Sequence, residues 1–186
     1  VSKNVSTLVA ITTLGAGLIH LAVGAGAPFI LLLIFVATGV AHMGWAVATL
    51  RADRIPAPTL FVAIALFPVA VWATTLVIGS AAALPLGPLA ASSVLDFAAA
   101  AVVVAGLRTR KAGTVAASAA ATAARARSTD TSTEHPWRFI GTLAASAAIV
   151  AGIVTPALSG TWAGQFAQPH GSHDVPALEI DEHAGH

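Results

Sequence analysis

Apolar residues run in five stretches of about 20 positions, broken by short polar, basic or Gly/Pro-containing connections. As a helix, a stretch of that length rises about 30 Å, the thickness of a bilayer's hydrocarbon core. A soluble amphipathic helix would instead show polar residues at every third or fourth position. The pattern predicts an all-α, polytopic transmembrane bundle of five helices, with spans at 5–24, 28–50, 58–80, 86–107 and 138–159. The transmembrane domain then covers 1–160 with a long connection at 109–136, and 161–186 follows as a flexible, His-containing tail.

The sparse charges orient these spans. Lys3 precedes the first, Arg51 and Arg54 follow the second, and Arg108, Arg110, Lys111, Arg125 and Arg127 follow the fourth, with Arg138 at the start of the fifth. The connections at 24–27 and 81–85 carry no charge. Five crossings with a cytoplasmic N-terminus put every basic residue on one side and the tail outside, as the positive-inside rule asks. The expected location is the bacterial cytoplasmic membrane. Ala25-Gly26-Ala27 resembles a signal-peptide cleavage site, but the preceding stretch is longer than an ordinary h-region and Pro28 follows the cut, so the first helix is expected to be retained.

Composition narrows the function classes. Charged residues make up 9 % of the chain, hydrophobic ones 56 %, and the formal net charge is +1, which gives no footprint for nucleic acid. There is no cysteine and a single methionine, Met43, so neither a thiolate nucleophile nor a sulfur relay for monovalent copper is available. The spans are rich in small residues, with Gly15-Ala16-Gly17 and Ala98–Ala101 as candidate helix-contact faces. Pro28, Pro58 and Pro85 mark helix starts, whereas Pro68 lies inside the third span and frees the carbonyl of Ile64. In the 109–136 connection, Thr114–Ala124 reads as weakly helical and Arg125–Glu134 as a soluble linker.

Three ionisable residues lie within the spans: His20, His42 and Asp96. Such groups are costly in hydrocarbon and face a bundle interior or a polar cavity, although a neutral histidine can serve packing alone. Counting 1.5 Å per residue from the outer end places His20 about 6 Å deep, Asp96 about 15 Å and His42 about 21 Å. His42 and Asp96 are therefore expected to pair, lining a polar pocket with Trp72, Thr74 and Thr75 and with Ser92 and Ser93 at its mouth. The two histidines, about 15 Å apart along the membrane normal, are expected to stay separate and are poorly placed to share a haem.

The tail supplies a second cluster. His170, His173 and Asp174, then His183 and His186, form two His-x-x-His groups with carboxylates beside them. Neutral imidazole with carboxylate oxygen is a donor set that suits Cu(II) or Zn. Gly17-Leu-Ile-His20, Ala41-His-Met-Gly-Trp45 and Gly87-Pro-Leu-Ala…Leu95-Asp96 together resemble a group of small actinobacterial multi-pass integral membrane proteins of unassigned function. That resemblance covers roughly residues 10–107 and implies no activity.

The leading expectation is an accessory membrane protein that binds a divalent metal, copper foremost, at its outer face. A structural or assembly subunit of a larger respiratory-type complex, or a homo-oligomer, is the second. A small proton-coupled transporter using His42 and Asp96 is the third. An enzyme is least favoured, because His42 with Asp96 is the only base–orienter pair and no nucleophile stands in a recognisable context.

Overall fold

The computed structural model describes residues 3–79, 84–120 and 136–166. Five α-helices follow one another: α1 Lys3–Ala25, α2 Phe29–Ala52, α3 Pro58–Val77, α4 Leu86–Ala120 and α5 Pro136–Ser159, then a single 3-10 turn at Ala163–Phe166. All five contain a segment long and apolar enough to cross a membrane. The chain is an all-helical, five-helix membrane bundle.

Successive helices alternate in direction, and two ends can be told apart. The basic end gathers Lys3, the α2–α3 connection and Arg110. There Lys3 Nζ lies 3.6 Å from Asp53 Oδ2, Ser6 Oγ donates to the Asp53 carbonyl, and Arg54, Pro58 and Arg110 line one cavity. At the opposite end Gly26 lies against Trp162, and Gly160 against Pro88. We call this the Gly26 end.

The helix boundaries follow from local chemistry. Pro28 immediately precedes α2 and Pro58 opens α3, positions where a missing amide hydrogen costs nothing. Asp53 closes α2 in the left-handed region at φ 48°, which a short polar side chain tolerates. Helix α4 runs on past the span expected to end at 107 and through part of the Thr114–Ala124 stretch read as weakly helical, because Ala, Arg and Lys all favour helix and no proline interrupts them. The first residues after α5 are likewise held in place: Thr161 is fully buried, its Oγ1 donates to the Leu158 carbonyl, and the rings of Trp162 and Phe166 meet edge to face at 4.9 Å.

Helix α1 is the hub. Three-fifths of its span (61 %) is buried, against 44 % or less for each of the others, and it packs on α2, α4 and α5 at once. The small residues read from the sequence explain how. Gly15 and Gly17 point to opposite sides, with the fully buried Ala16 between them. A Cβ on Gly15 would fall 2.6 Å from Val150 of α5, and one on Gly17 would fall 3.0 Å from the Gly39 carbonyl of α2. Gly39 returns the contact: a Cβ there would lie 2.9 Å from the Gly17 carbonyl. The two backbones therefore touch, which only glycine permits. Of the Ala98–Ala101 run only Ala99 and Ala100 are buried.

This crossing sets a prediction. Gly39→Ala should destabilise the bundle by about 1–3 kcal/mol through overpacking against backbone. Gly44→Ala, on the same helix with nothing within 4 Å of the added carbon, should be neutral. Thermal unfolding in nanodiscs would separate the two, and equal effects would mean that the Gly17–Gly39 contact is not tight.

Candidate functional site

One helical turn beyond each partner of the glycine crossing stands a histidine on the same face: Gly17 and His20 on α1, Gly39 and His42 on α2. The helices run antiparallel, and Cα–Cβ bonds lean towards the N-terminus of their own helix. His20 therefore leans towards the basic end and His42 towards the Gly26 end, so the rings converge. They stack with centroids 5.3 Å apart and planes 25° from parallel. The expected separation of about 15 Å between the histidines is thus wrong. Part of the discrepancy is register: Gly24 faces Phe35 and Val36 while Gly17 faces Gly39 and His42. The residues level with His20 are hence near Thr38, only about 6 Å in rise from His42. The side-chain lean closes the rest.

Each ring is fixed by its own helix. His20 Nδ1 lies 2.7 Å from the Ala16 carbonyl and His42 Nδ1 lies 2.8 Å from the Thr38 carbonyl, both one turn back. A carbonyl oxygen only accepts, so Nδ1 carries the hydrogen in both rings. In a neutral imidazole that leaves Nε2 as a bare acceptor. Both Nε2 atoms face Asp96 of α4: His42 Nε2 is 3.0 Å from Oδ1, and His20 Nε2 is 3.5 Å from Oδ2. All three side chains are 1 % exposed.

Proton counting follows from these contacts. A carboxylate between two bare nitrogen lone pairs would be three acceptors in hydrocarbon with nothing to share. At least one proton must lie on the triad, either as a carboxylic acid donating to His42 or as an imidazolium donating to the carboxylate. One proton leaves the group neutral overall, the state least costly to bury. It satisfies the 3.0 Å contact. On the other side His20 Nε2 and Asp96 Oδ2 have no hydrogen-bond partner, and a second proton placed between them would turn an unfavourable approach into a bond.

The triad lies between two apolar layers. Towards the Gly26 end are Val23, Phe35, Leu84 and Leu89, with Phe35 meeting the His20 ring at 6.0 Å; towards the basic end are Val9, Phe61, Ala65, Ala99 and Val103. The polar pocket expected on α3 forms only in part. Trp72 Nε1 donates to Ser93 Oγ at 2.9 Å, joining α3 to α4, and Thr75 is buried with its hydroxyl on the Trp72 carbonyl. Thr74 is exposed and bonds the Ala70 carbonyl, so it faces away from the interior. Ser92 and Ser93 both donate to the Leu89 carbonyl.

Among the described residues no group of three or more His, Asp or Glu side chains is arranged to hold a metal ion. The stacked rings aim their nitrogens at separate carboxylate oxygens rather than at one point. The tail residues His170, His173, Asp174, His183 and His186 lie outside the described residues. His20 is the site residue that depth counting missed; the Gly-x-x-His spacing shared by α1 and α2 was the signal that could have found it.

Comparison with protein-family models, with curated proteins and with solved structures finds no match, and the likeness to the actinobacterial group rests on the sequence motifs alone.

If the imidazoles hold the carboxylate, its stability cost should depend on both. The double variant His20→Leu/His42→Leu strands Asp96 without a partner and should lose about 3–5 kcal/mol. Adding Asp96→Leu to that pair should recover most of the loss, because an apolar core replaces an orphaned charge. A further loss on the third substitution, measured by thermal unfolding in nanodiscs, would contradict the triad.

Proposed function

We propose that this chain is a proton-coupled integral membrane protein of carrier type, with His20, Asp96 and His42 as the group that takes up and releases the proton. The observation carrying this reading is the open side of the triad. Two acceptors, His20 Nε2 and Asp96 Oδ2, face each other at 3.5 Å beside the 3.0 Å contact between His42 Nε2 and Asp96 Oδ1. The carboxylate links the two positions through its own two oxygens. A proton can thus sit on the His42 side or the His20 side of Asp96 while both Nδ1–H groups stay bonded to their carbonyls, and its exchange with either end of the bundle requires a ring or the carboxylate to move out of this contact.

The surroundings suit an occluded state. Apolar layers seal the triad from both ends of the bundle, so release requires a helix to shift. Helix α3 is the natural candidate: only 22 % of its span is buried, and the internal Pro68 removes one backbone bond at mid-height. Trp72 ties α3 to Ser93, one turn from Asp96, so a movement of α3 is felt beside the carboxylate.

Infrared difference spectroscopy on liposome-reconstituted protein tests this directly. Exchange between acidic and alkaline buffer should produce a carboxyl band that disappears in Asp96→Asn, and liposomes under an imposed pH gradient should show a proton leak that the same variant removes. Spectra and leak identical in wild type and Asp96→Asn would sink the proposal.

A second reading, divalent-metal handling, is favoured by a separate sequence observation: the two His-x-x-His groups with neighbouring carboxylates at 170–174 and 183–186. Calorimetry with Cu(II) and with Zn should give stronger binding for the full chain than for one ending at Ala167. Equal, weak binding by both would discard the tail as a metal site.

A further inference from the structure

Towards the basic end, the helix faces that carry the two histidines are lined with hydroxyls. On α1 the positions seven and fourteen residues before His20 are Thr13 and Ser6, and on α2 the position seven residues after His42 is Thr49. Residues seven apart lie within about 20° of one another around a helix, and all three side chains are at most 2 % exposed. The same count towards the Gly26 end reaches Ala27 and Phe35 instead. We propose that water reaches the triad along this hydroxyl line, so that His20, Asp96 and His42 exchange their proton with the basic end of the bundle and not with the Gly26 end. The inference rests on the carrier reading above and names the side on which its site opens.

The line has no long break. Its outermost member, Ser6, donates to the Asp53 carbonyl beside the exposed Lys3–Asp53 pair. Counted from that contact along the antiparallel helices, Thr49 stands about 6 Å up, Thr13 about 10 Å, Trp45 about 12 Å and His42 about 16 Å. Two hydrogen bonds of about 2.8 Å each let one water bridge a step of that height. The members also complement water chemically. Thr13 Oγ1 donates to the Val9 carbonyl at 2.7 Å, which leaves its lone pairs free to accept. Trp45 Nε1 is a buried donor with no hydrogen-bond partner, whereas a buried indole N–H usually has one.

The two apolar layers differ in the helices that supply them. On the basic side α3 provides Phe61 and Ala65, and Phe61 is the one aromatic ring among Val9, Ala65, Ala99 and Val103. On the Gly26 side Ile19, Val23, Phe35 and Leu89 come from α1, α2 and α4, and among the described residues α3 adds only the half-buried Trp72. Phe61 and Ala65 both precede Pro68. A movement of that half of α3 about the proline therefore withdraws the basic seal and leaves the Gly26 seal closed. Phe61 lies beside the Trp45 ring, with centroids 6.1 Å apart, so its departure opens the line where the unpartnered N–H stands.

The chain has no cysteine, so single-thiol variants of the full chain in nanodiscs can report water access. The probe is a small, charged, membrane-impermeant thiosulfonate, which reacts with a hydrated thiolate. Thr13→Cys lies about 15 Å along α1 from Lys3, whereas Val23→Cys lies only about 3 Å from Ala25, and both native side chains are buried. Depth alone would make the Val23 thiol react first. With water entering along the hydroxyl line, the Thr13 thiol reacts several times faster. In liposomes under a pH gradient, Thr13→Val should slow the Asp96-dependent leak several-fold. Thr12→Val, at the same depth but lining the apolar cleft between α1, α4 and α5, should leave it unchanged. Labelling at Val23 as fast as at Thr13, or a leak that Thr13→Val does not slow while Asp96→Asn still removes it, would overturn the proposal and leave the carrier reading standing. The expected labelling order with spectra and leak unchanged in Asp96→Asn would sustain the water route and remove the carrier reading.

Discussion

A carboxylate buried among apolar helices is the constraint around which this bundle is arranged. An ionisable group at mid-helix costs about 2.5–3.5 kcal/mol even on the mildest insertion scales, and neither water nor headgroup reaches Asp96 to relieve it. The relief comes from two other helices. His20 and His42 bring α1 and α2 to α4 at a single level, so one polar cluster fixes three of the five helices relative to each other. Lipid supplies no hydrophobic drive for helix association, and a shared polar partner of this kind gives register as well as affinity.

That arrangement works only because backbones can come close. The Gly17–Gly39 contact brings α1 and α2 within reach of a stacked imidazole pair, and Gly15 does the same for α5 on the opposite side of α1. Each histidine spends its second nitrogen on a carbonyl of its own helix. This choice has two consequences: the rings are held without help from neighbours, and the remaining nitrogens become acceptors. Close glycine packing thus sets the distance between the two rings, and each ring's own helix sets which nitrogen faces the carboxylate.

The spans were legible in the sequence because bilayer thickness, a property of the solvent, dictates their length. The features that differ from the sequence reading have local causes. Counting residues from a presumed membrane face treats helices as rods of equal height, yet α2 is displaced along α1, and the lean of Cβ moves two antiparallel side chains towards each other. His20 was therefore placed too far from His42, although Asp96 was set at nearly the right level. In α3, Thr74 and Thr75 differ by one residue and so by about 100° around the axis; a flat reading of the segment could not say that Thr75 turns inward and Thr74 outward. The weak helix read at Thr114–Ala124 joins α4 without the break expected after 107, since a run of basic and alanine residues suits a polar connection and a helix equally well.

Whether the triad is a clamp or a working site turns on how completely it is satisfied. A structural clamp would gain most from two short, equal bonds to the carboxylate, and stacked rings facing two oxygens have the symmetry for that. The observed pair is unequal, 3.0 Å on the His42 side and 3.5 Å on the His20 side. The longer contact leaves a nitrogen and an oxygen without hydrogen-bond partners in the least forgiving part of the molecule. An apolar residue in place of His20 would remove the unmet nitrogen but leave Asp96 Oδ2 facing hydrocarbon. The proton exchange proposed for this site therefore rests on two atoms, His20 Nε2 and Asp96 Oδ2, which stand between apolar layers that contain Phe35 on one side and Phe61 on the other.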